Sequence, residues 1–593
     1  MTSNGHTENS YGTHKWWKEA IVYQIYPASF LSTGAGTIPG WGDIRGITSK
    51  VDYIKDLGAD VVWLSPIYKS PQADMGYDIS DYNDIDPRYG SLADVDELIE
   101  KLHSRGMKLM MDLVVNHTST EHAWFLDSRS SKTAKKRDWY IWQPAKYDAD
   151  GHRQPPNNWM QILGTAYSAW TWDEHTQEYY LALFTPEQPD LNWRNPDVRA
   201  AVFDVLKFWL KRGVSGFRMD VINMISKVEG YPDAPITIPG APYQPGTSLY
   251  SNGPHMHEYL REMRRETLDK FDTITVGEMP FIDDTDEILQ TVGANEGELN
   301  MIFIFDIVNI DNASKRMTVA EWKLPKLRNI FNRWQRTMYE RNGWNSVFIE
   351  NHDNPRSISR YADDSDEYRE RSAKMLSLML TTMGGTLYVF QGQELGQRNV
   401  PQSWQALDFL DIETVNYWKS TLEKHPGDEK AAKEARFVIQ RKARDHSRTP
   451  VQWNKSANAG FSSERAKPWM KVNDDYKTVN AAAQLADSSS VLHFWTSALK
   501  RRKTFKDVFV YGSFDCLDDE HDSVFAYKRT SAVGDAWIVL LNFSKHNARW
   551  NVPSGVDVHG FVESTYGDAR PEKDKVQEVV LRPWEGVIGR LTA

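Results

Sequence analysis

From Ile21 to about Lys503, short unbroken apolar runs alternate with stretches whose apolar residues recur every three or four positions. The runs are "AIVYQIYP", "ADVVWLSP", "MKLMMDLVVNH", "VSGFRMD", "TITVGE", "NMIFIFD", "NSVFIENHD" and "GTLYVFQGQE". Each is rich in Val, Ile and aromatic residues, as parallel strands buried on both faces are. Between them, Leu92, Val95, Leu98, Ile99 and Leu102 fall on one helical face, with Gly106 as the stop. Leu327, Ile330, Phe331, Trp334 and Met338 do the same. Eight strands with intervening helices predict an α/β fold, a closed (β/α)8 TIM barrel, with an open doubly wound sheet as the alternative.

Three excursions interrupt the alternation. Residues 118–192 turn polar and aromatic ("PPNNW", "SAWTWDE", "EQPDLNW") and are too long for a βα loop, which predicts a small inserted domain after strand three. A Pro- and Gly-rich stretch runs from Glu229 to Pro254, and a third excursion from Gln391 to about Ala486. Past Thr504 the pattern becomes period-two strands with turns, "VFAYKRT", "AWIVLLNFS" and "ARWNVPSG", which predicts a C-terminal antiparallel β-sandwich over 505–593. The barrel is then expected over 15–117 and 193–504, preceded by a disordered polar tail, 1–14.

Composition narrows the class. With 593 residues, 40% apolar and 25% charged, the chain can bury a large core without cross-links. The single Cys516 excludes a disulfide framework and Cys-based zinc sites, and fits a reducing compartment. A net charge of −11 argues against phosphate-rich partners, so no nucleic acid is expected. The first fourteen residues lack an apolar stretch, and no apolar run is long enough for a bilayer, so the expectation is a cytoplasmic protein with no membrane partner. The 23 Trp and 26 Tyr suit a flat neutral ligand as well as a core. Oligomeric state is left open.

Polar residues recur where the strands end. Strand two leads to Asp78; strand three ends in Asp112, Asn116 and His117; strand four in Arg218 and Asp220; strand five in Glu278; strand seven in His352 and Asp353. A barrel gathers these ends on one face. Clustered carboxylates serve either a hard metal ion or glycoside cleavage, in which one attacks carbon and another, kept protonated, donates to the leaving oxygen. Arg218 beside Asp220 favours an ionised Asp220, and crowding of like charges keeps a second acid neutral.

Four separated signatures, "DLVVNH", "GFRMD", "VGEM" and "IENHD", reinforced by "MGYDI", "QPDLNW" and "DHSRTPVQW", make the chain resemble the α-amylase superfamily of glycoside hydrolases. It is most similar to the oligo-1,6-glucosidase, isomaltase and yeast-type maltase branch, from "VYQIYPASF" to "LRPWEG". The resemblance implies that Asp220 is the nucleophile, Glu278 the general acid/base and Asp353 the third carboxylate, which grips sugar hydroxyls. It implies that Asp78, His117, Arg218, His352 and Arg448 clamp the terminal glucose. Tyr77 would stack on that sugar, and Phe184 and Gln188 would line the site from the inserted domain. The implied reaction is a retaining double displacement on short α-glucosides, with isomaltose-type and aryl α-glucosides as expected substrates and no redox cofactor.

Departures from those relatives matter too. Many bind calcium in the loop after strand one; here that loop reads "LSTGAGTIPGWGD", with only Asp43 left of its acids, and no calcium is expected there. Val221, directly after the nucleophile, matches the relatives that prefer α-1,6 bonds, whereas Thr is usual in α-1,4 maltases. The segment "MQILGTAYSAW" differs from the relatives around the aglycone site. The nearest rival readings are an α-1,4 maltase and a transglucosylase. Sucrose isomerases carry an Arg/Asp-rich patch after strand six that is missing between Phe305 and Asn345. Transporter heavy chains lose the catalytic acids, and an endo-acting starch enzyme needs a more open cleft.

Overall fold

In the computed structural model, which describes residues 10–164, 167–293, 297–314, 316–568, 570–571 and 575–591, all eight apolar runs form strands. They are β1 (Ile21–Ile25), β2 (Val61–Leu64), β3 (Lys108–Val114), β4 (Gly216–Asp220), β5 (Ile274–Glu278), β6 (Met301–Phe303), β7 (Ser346–Val347) and β8 (Thr386–Phe390). All pair in parallel, in the order β6-β5-β4-β3-β2-β1-β8-β7. Between β6 and β7 the Ser346 hydroxyl donates to the Ile302 carbonyl at 2.7 Å, and Phe303 meets Phe348 at 4.7 Å between ring centres. These contacts close the ring. Trp63, Phe303 and Tyr388 fill its interior, with Phe303 stacked on Trp63 at 5.7 Å.

Helices follow the predicted apolar faces. Leu92–Ser104 starts from a capping box between Ser91 and Asp94 and buries Val95, Leu98, Ile99 and Leu102. Leu324–Glu340 buries Leu327, Phe331, Trp334 and Met338. Pro196–Arg212, capped by the Asn195 side chain, ends at Gly213 with φ 111, a left-handed turn that feeds β4. Among the described residues no helix is long and apolar enough to cross a membrane.

The excursion after β3 holds the helix Ala123–Ser130 and an antiparallel sheet of Trp142–Gln143, Glu178–Leu181 and Trp170–Asp173. A bridge between His117 and Asp190 joins its two ends, so Phe184 and Gln188 hang beside the ends of the barrel strands. The excursion after β8 folds into two helices, Ile412–Lys424 and Glu429–Lys442, followed by the short turn Asp445–Arg448.

In the C-terminal region, Ser513–Asp518, Val524–Thr530, Ala536–Asn542, Gly586–Arg590 and Glu563–Ser564 make an antiparallel sheet. Period two splits its side chains. Val524, Ala526, Ile538, Leu540 and Val587 pack on Trp550, Val579 and Leu581 of the small facing sheet. Phe525, Tyr527, Val539, Leu541 and Ile588 join the barrel core. Residues 1–9 of the expected disordered tail lie outside the described residues. Its end departs from expectation: Ser10–Gly12 form a 3-10 turn, and Tyr11 is buried against Tyr339 and Trp344.

Candidate active site

Alternation along β4 sends Gly216, Arg218 and Asp220 to one side and Phe217 and Met219 to the other. Arg218 is thereby buried among acids from three strands. It donates to Asp112 Oδ1 at 2.8 Å, Asp220 Oδ1 at 2.5 Å and Glu278 Oε2 at 2.5 Å. One cation cannot balance three buried carboxylates, so protons stay on some of them. Burial pushes Glu278 up to about 8; Arg218 works against this, while Asp220 and Asp353 add to it. Burial raises Asp220 and Asp112 to about 6 each, with Arg218 holding both down. A hydrogen bond between Asp220 and Glu278 lowers the first and raises the second, so the proton resides on Glu278. Asp112 is also held by Trp63 Nε1 at 3.3 Å and the Tyr77 hydroxyl at 3.2 Å. Asp220 and Glu278 line the cavity; Asp112 lies behind it.

Asp353 enters from the end of β7. Its burial disfavours charge, but neighbouring His352, Arg444, Arg316 and Arg448 outweigh that and hold it well below the carboxylate range. Burial depresses His352 to about 3, so the lasting positive charge comes from the guanidiniums. Arg448 reaches Asp353 Oδ1 at 2.9 Å, Arg444 reaches it at 3.3 Å, and Arg316 donates to the Asp353 carbonyl.

A relay fixes the floor. Gln24 Nε2 donates to His352 Nδ1 at 2.7 Å, leaving the proton on Nε2 to donate to the Tyr77 hydroxyl at 2.6 Å. The rings of Tyr77 and His352 stack at 5.5 Å and 5°. His117 Nε2 donates to the Tyr77 carbonyl at 3.1 Å, and Gln188 Nε2 lies 3.4 Å from Asp74 Oδ2. Phe184 meets His117 at 5.0 Å.

Asp220, Glu278, Asp353, Tyr77, His117, Phe184, Gln188 and Val221 therefore share one cavity wall, while Arg218, His352 and Arg448 stand directly behind it. Arg218, His352 and Arg448, expected as sugar contacts, thus do not line the cavity, and Asp78 does not either. Its buried carboxylate turns back to accept from the Ala73 and Asp74 amides at 2.7 and 3.1 Å, and it does not face the cavity. Asp74 does, paired with Arg444 at 3.2 Å. The cause is a tight turn with positive φ at Met75 (50°) and Gly76 (100°), which points Asp74 outward and Asp78 inward. Sequence reasoning also missed Arg316, Glu413 and Arg444 on the wall. Arg444 stands one helical turn before Arg448 in "RDHSR", a spacing that carried the signal.

Val221 adopts φ 35°, ψ 42°, a left-handed conformation rare for a β-branched residue, and its amide lies 3.3 Å from Glu278 Oε2. In the loop after β1, Asp43 spends its carboxylate on Gly46 N, Thr33 N and the Thr33 hydroxyl at 2.7–2.9 Å, capping the helix Ile44–Ser49. The loop has no other acid, so its residues do not fit the hard oxygen shell of a calcium ion.

Comparison with known proteins agrees with this geometry. The family described as alpha amylase, catalytic domain, matches residues 24–512. The chain is 47% identical over 578 residues to an alpha-glucosidase of Schizosaccharomyces pombe, covering 97% of this chain and 98% of that protein. It is 45% identical over 579 residues to an oligo-1,6-glucosidase of Parageobacillus thermoglucosidasius, covering 97% and 99%. Among solved structures, isomaltulose synthase from Klebsiella superposes with a TM-score of 0.90 at 37% identity, covering 98% of this chain and 100% of that one. A trehalose-6-phosphate hydrolase of Bacillus licheniformis gives 0.88 at 38%, with the same coverage. Matched in this way across most of its length, and folded into the barrel whose strand ends gather the acids, the chain belongs to the alpha-amylase family.

Proposed function

We propose that this protein is an exo-acting, retaining α-glucosidase that releases α-glucose from the non-reducing ends of short α-glucosides. One observation carries the reading: Arg218 donates to Asp220 and to Glu278 at 2.5 Å each, which holds the two carboxyl groups side by side, and burial beside Asp220 and Asp353 favours the proton on Glu278. An inverting pair needs a wider gap to admit water, whereas a retaining pair sits at about 5 Å. Glu278, protonated, donates to the glycosidic oxygen while ionised Asp220 attacks the anomeric carbon. Arg218 stays paired with Asp220 as that charge is consumed. Glu278, now ionised, takes a proton from water. The resulting hydroxyl attacks from the face the leaving group vacated, opposite Asp220, and displaces it to give α-glucose with net retention. Asp353, held anionic, is suited to grip sugar hydroxyls as positive charge grows on the ring. The Asp74–Arg444 pair and the Tyr77–His352 stack wall the inner end, which supports a pocket for a single terminal glucose. No step needs a metal or redox group. A cytoplasmic location belongs to the same proposal, supported by the lone Cys516.

Azide tests the nucleophile. Asp220→Gly should lose at least about 1,000-fold in turnover of nitrophenyl α-glucoside. Added azide should restore cleavage and yield β-glucosyl azide. An α-configured product, or undiminished turnover without azide, removes Asp220 from that role.

Linkage preference is the finer part. Val221 offers an apolar surface beside Glu278 where a hydroxyl would stand in a Thr. We assign a lean toward α-1,6 bonds, worth roughly 10–200-fold at most for such a small change. Isomaltose should exceed maltose in kcat/KM, and Val221→Thr should narrow the ratio; a strong maltose preference in the unmodified enzyme refutes the assignment.

A further inference from the structure

Outside the catalytic cavity, one histidine stands where a neutral ring cannot satisfy its surroundings. His257 lies in the first turn of the helix Met256–Glu266, which precedes β5. Its Nδ1 is 2.8 Å from Glu298 Oε2, in the lead-in to β6, and its Nε2 is 2.9 Å from Glu287 Oε2. Glu287 belongs to the helix Thr285–Val292, which follows β5. One imidazole therefore ties together three segments that flank the strand carrying Glu278.

The donors and acceptors set the charge. An ionised carboxylate only accepts, and a neutral imidazole has one N–H to give. Both contacts are hydrogen bonds only while both ring nitrogens carry protons. Among the described residues, the other charged group at this cluster is Arg261, on the same helix, which reaches Glu298 Oε1 at 3.0 Å. His255 and Glu258, also on that helix, pair with each other at 3.0 Å. Partial burial works against a charged ring, but Glu298 and Glu287 outweigh it and hold His257 above the ordinary histidine range.

Burial decides which contact fails when a proton leaves. The Glu298 side chain is fully buried and has nowhere to turn, whereas that of Glu287 is 43% exposed and can swing into water. The remaining proton stays on Nδ1, facing Glu298, and the lone pair on Nε2 then repels Glu287. The helix that carries Glu287 has eight residues, too few to stand alone. Another of its ion pairs, Asp286 with Arg341, is exposed on both sides and worth little.

We propose that His257 is a pH-sensitive latch: doubly protonated, it holds the helix Thr285–Val292 through Glu287, and on losing a proton it releases that helix while staying bound to Glu298. A group that binds its proton more tightly in the folded chain than in the unfolded one stabilises the fold at low pH. The contribution of the latch is full below about 6.5, the ordinary histidine value. It is lost as pH rises through the higher value of the folded chain.

Hydrogen–deuterium exchange reads the latch directly. Exchange over residues 285–292 is measured at pH 6 and pH 9, corrected for the intrinsic rate, and compared with the helix Pro196–Arg212. We expect protection of 285–292 to fall at least about tenfold relative to that helix at the higher pH, as loss of a charged hydrogen bond requires. Glu287→Gln should keep its protection, because the glutamine amide can donate to a neutral Nε2. His257→Leu should show the looser state at both pH values. Equal protection at the two pH values in the unmodified enzyme, or the same fall in Glu287→Gln, overturns the proposal.

Discussion

The protonation states around Arg218 make a prediction at the scale of single residues. Asp220 must be ionised to attack, and burial has raised it to about 6. Activity is therefore lost as pH falls through about 6, well above the range of a solvated aspartate. Glu278 must carry its proton, and burial has raised it to about 8, so activity is lost as pH rises through about 8. Because the two share a hydrogen bond, the limbs belong to the pair. The kcat/KM profile should be a bell with a plateau near neutrality, and Glu278→Gln should erase its alkaline limb for substrates with good leaving groups. A profile still flat at pH 9.5 would contradict a protonated Glu278. The same scale shows where the sequence could and could not be read. Asp220, Glu278 and Asp353 were legible because each ends an apolar strand, and a barrel leaves such residues only one place to point. Asp74 and Asp78 were not distinguishable, since which of them faces the cavity depends on the left-handed turn at Met75 and Gly76. One backbone reversal decides which acid faces the cavity, and no local pattern announces it.

Among the elements, legibility followed how each one is buried. The barrel strands are covered on both faces, so they read as unbroken apolar runs, and all eight were found. The outer sheet is covered on two different sides, so its residues alternate without turning polar; Val524 and Ala526 face the small sheet, Phe525 and Tyr527 the barrel. By contrast, the helices Ile412–Lys424 and Glu429–Lys442 escaped notice. They lie over the strand ends instead of against the sheet; the first buries only Glu413, Thr414 and Ser420, the second only Ala435, Ile439 and Lys442. Their apolar residues, Ile439 with Tyr417, Trp418 and Val438, pack into a small cluster apart from the barrel core, yet the two helices deliver Glu413 and Lys442 to the cavity wall. The strands of the inserted sheet were equally opaque, because Trp142–Gln143 is two residues long and its partners are four each. What lay in the core could be read, and much of what shapes the outer cavity could not.

For the whole molecule, the question is whether the sandwich is a separable appendage. Two buried guanidiniums bolt it to the barrel from opposite sides. Arg328, on the helix Leu324–Glu340, donates to the carbonyls of His521 at 2.9 Å, Val524 at 3.2 Å and Asp519 at 2.6 Å. Arg529, on the strand Val524–Thr530, donates to Gln335 Oε1 at 2.8 Å. Phe525, Tyr527, Val539, Leu541 and Ile588 lie in the barrel's own core cluster. Each such side chain is worth about 1.5–3 kcal/mol when fully withdrawn from water. Five of them come to roughly 10 kcal/mol, comparable with the net stability of a whole domain. Detaching the sandwich would cost about as much as unfolding it, so the two parts should melt together. Calorimetry should show one transition, with loss of activity tracking it. Arg328→Met takes a donor from three carbonyls, at about 1–3 kcal/mol for each one left buried and unpaired, and should lower the midpoint while keeping a single peak. If the variant instead shows an early transition confined to the sandwich, with cleavage persisting above it, then the interface is a loose seam and the barrel stands alone.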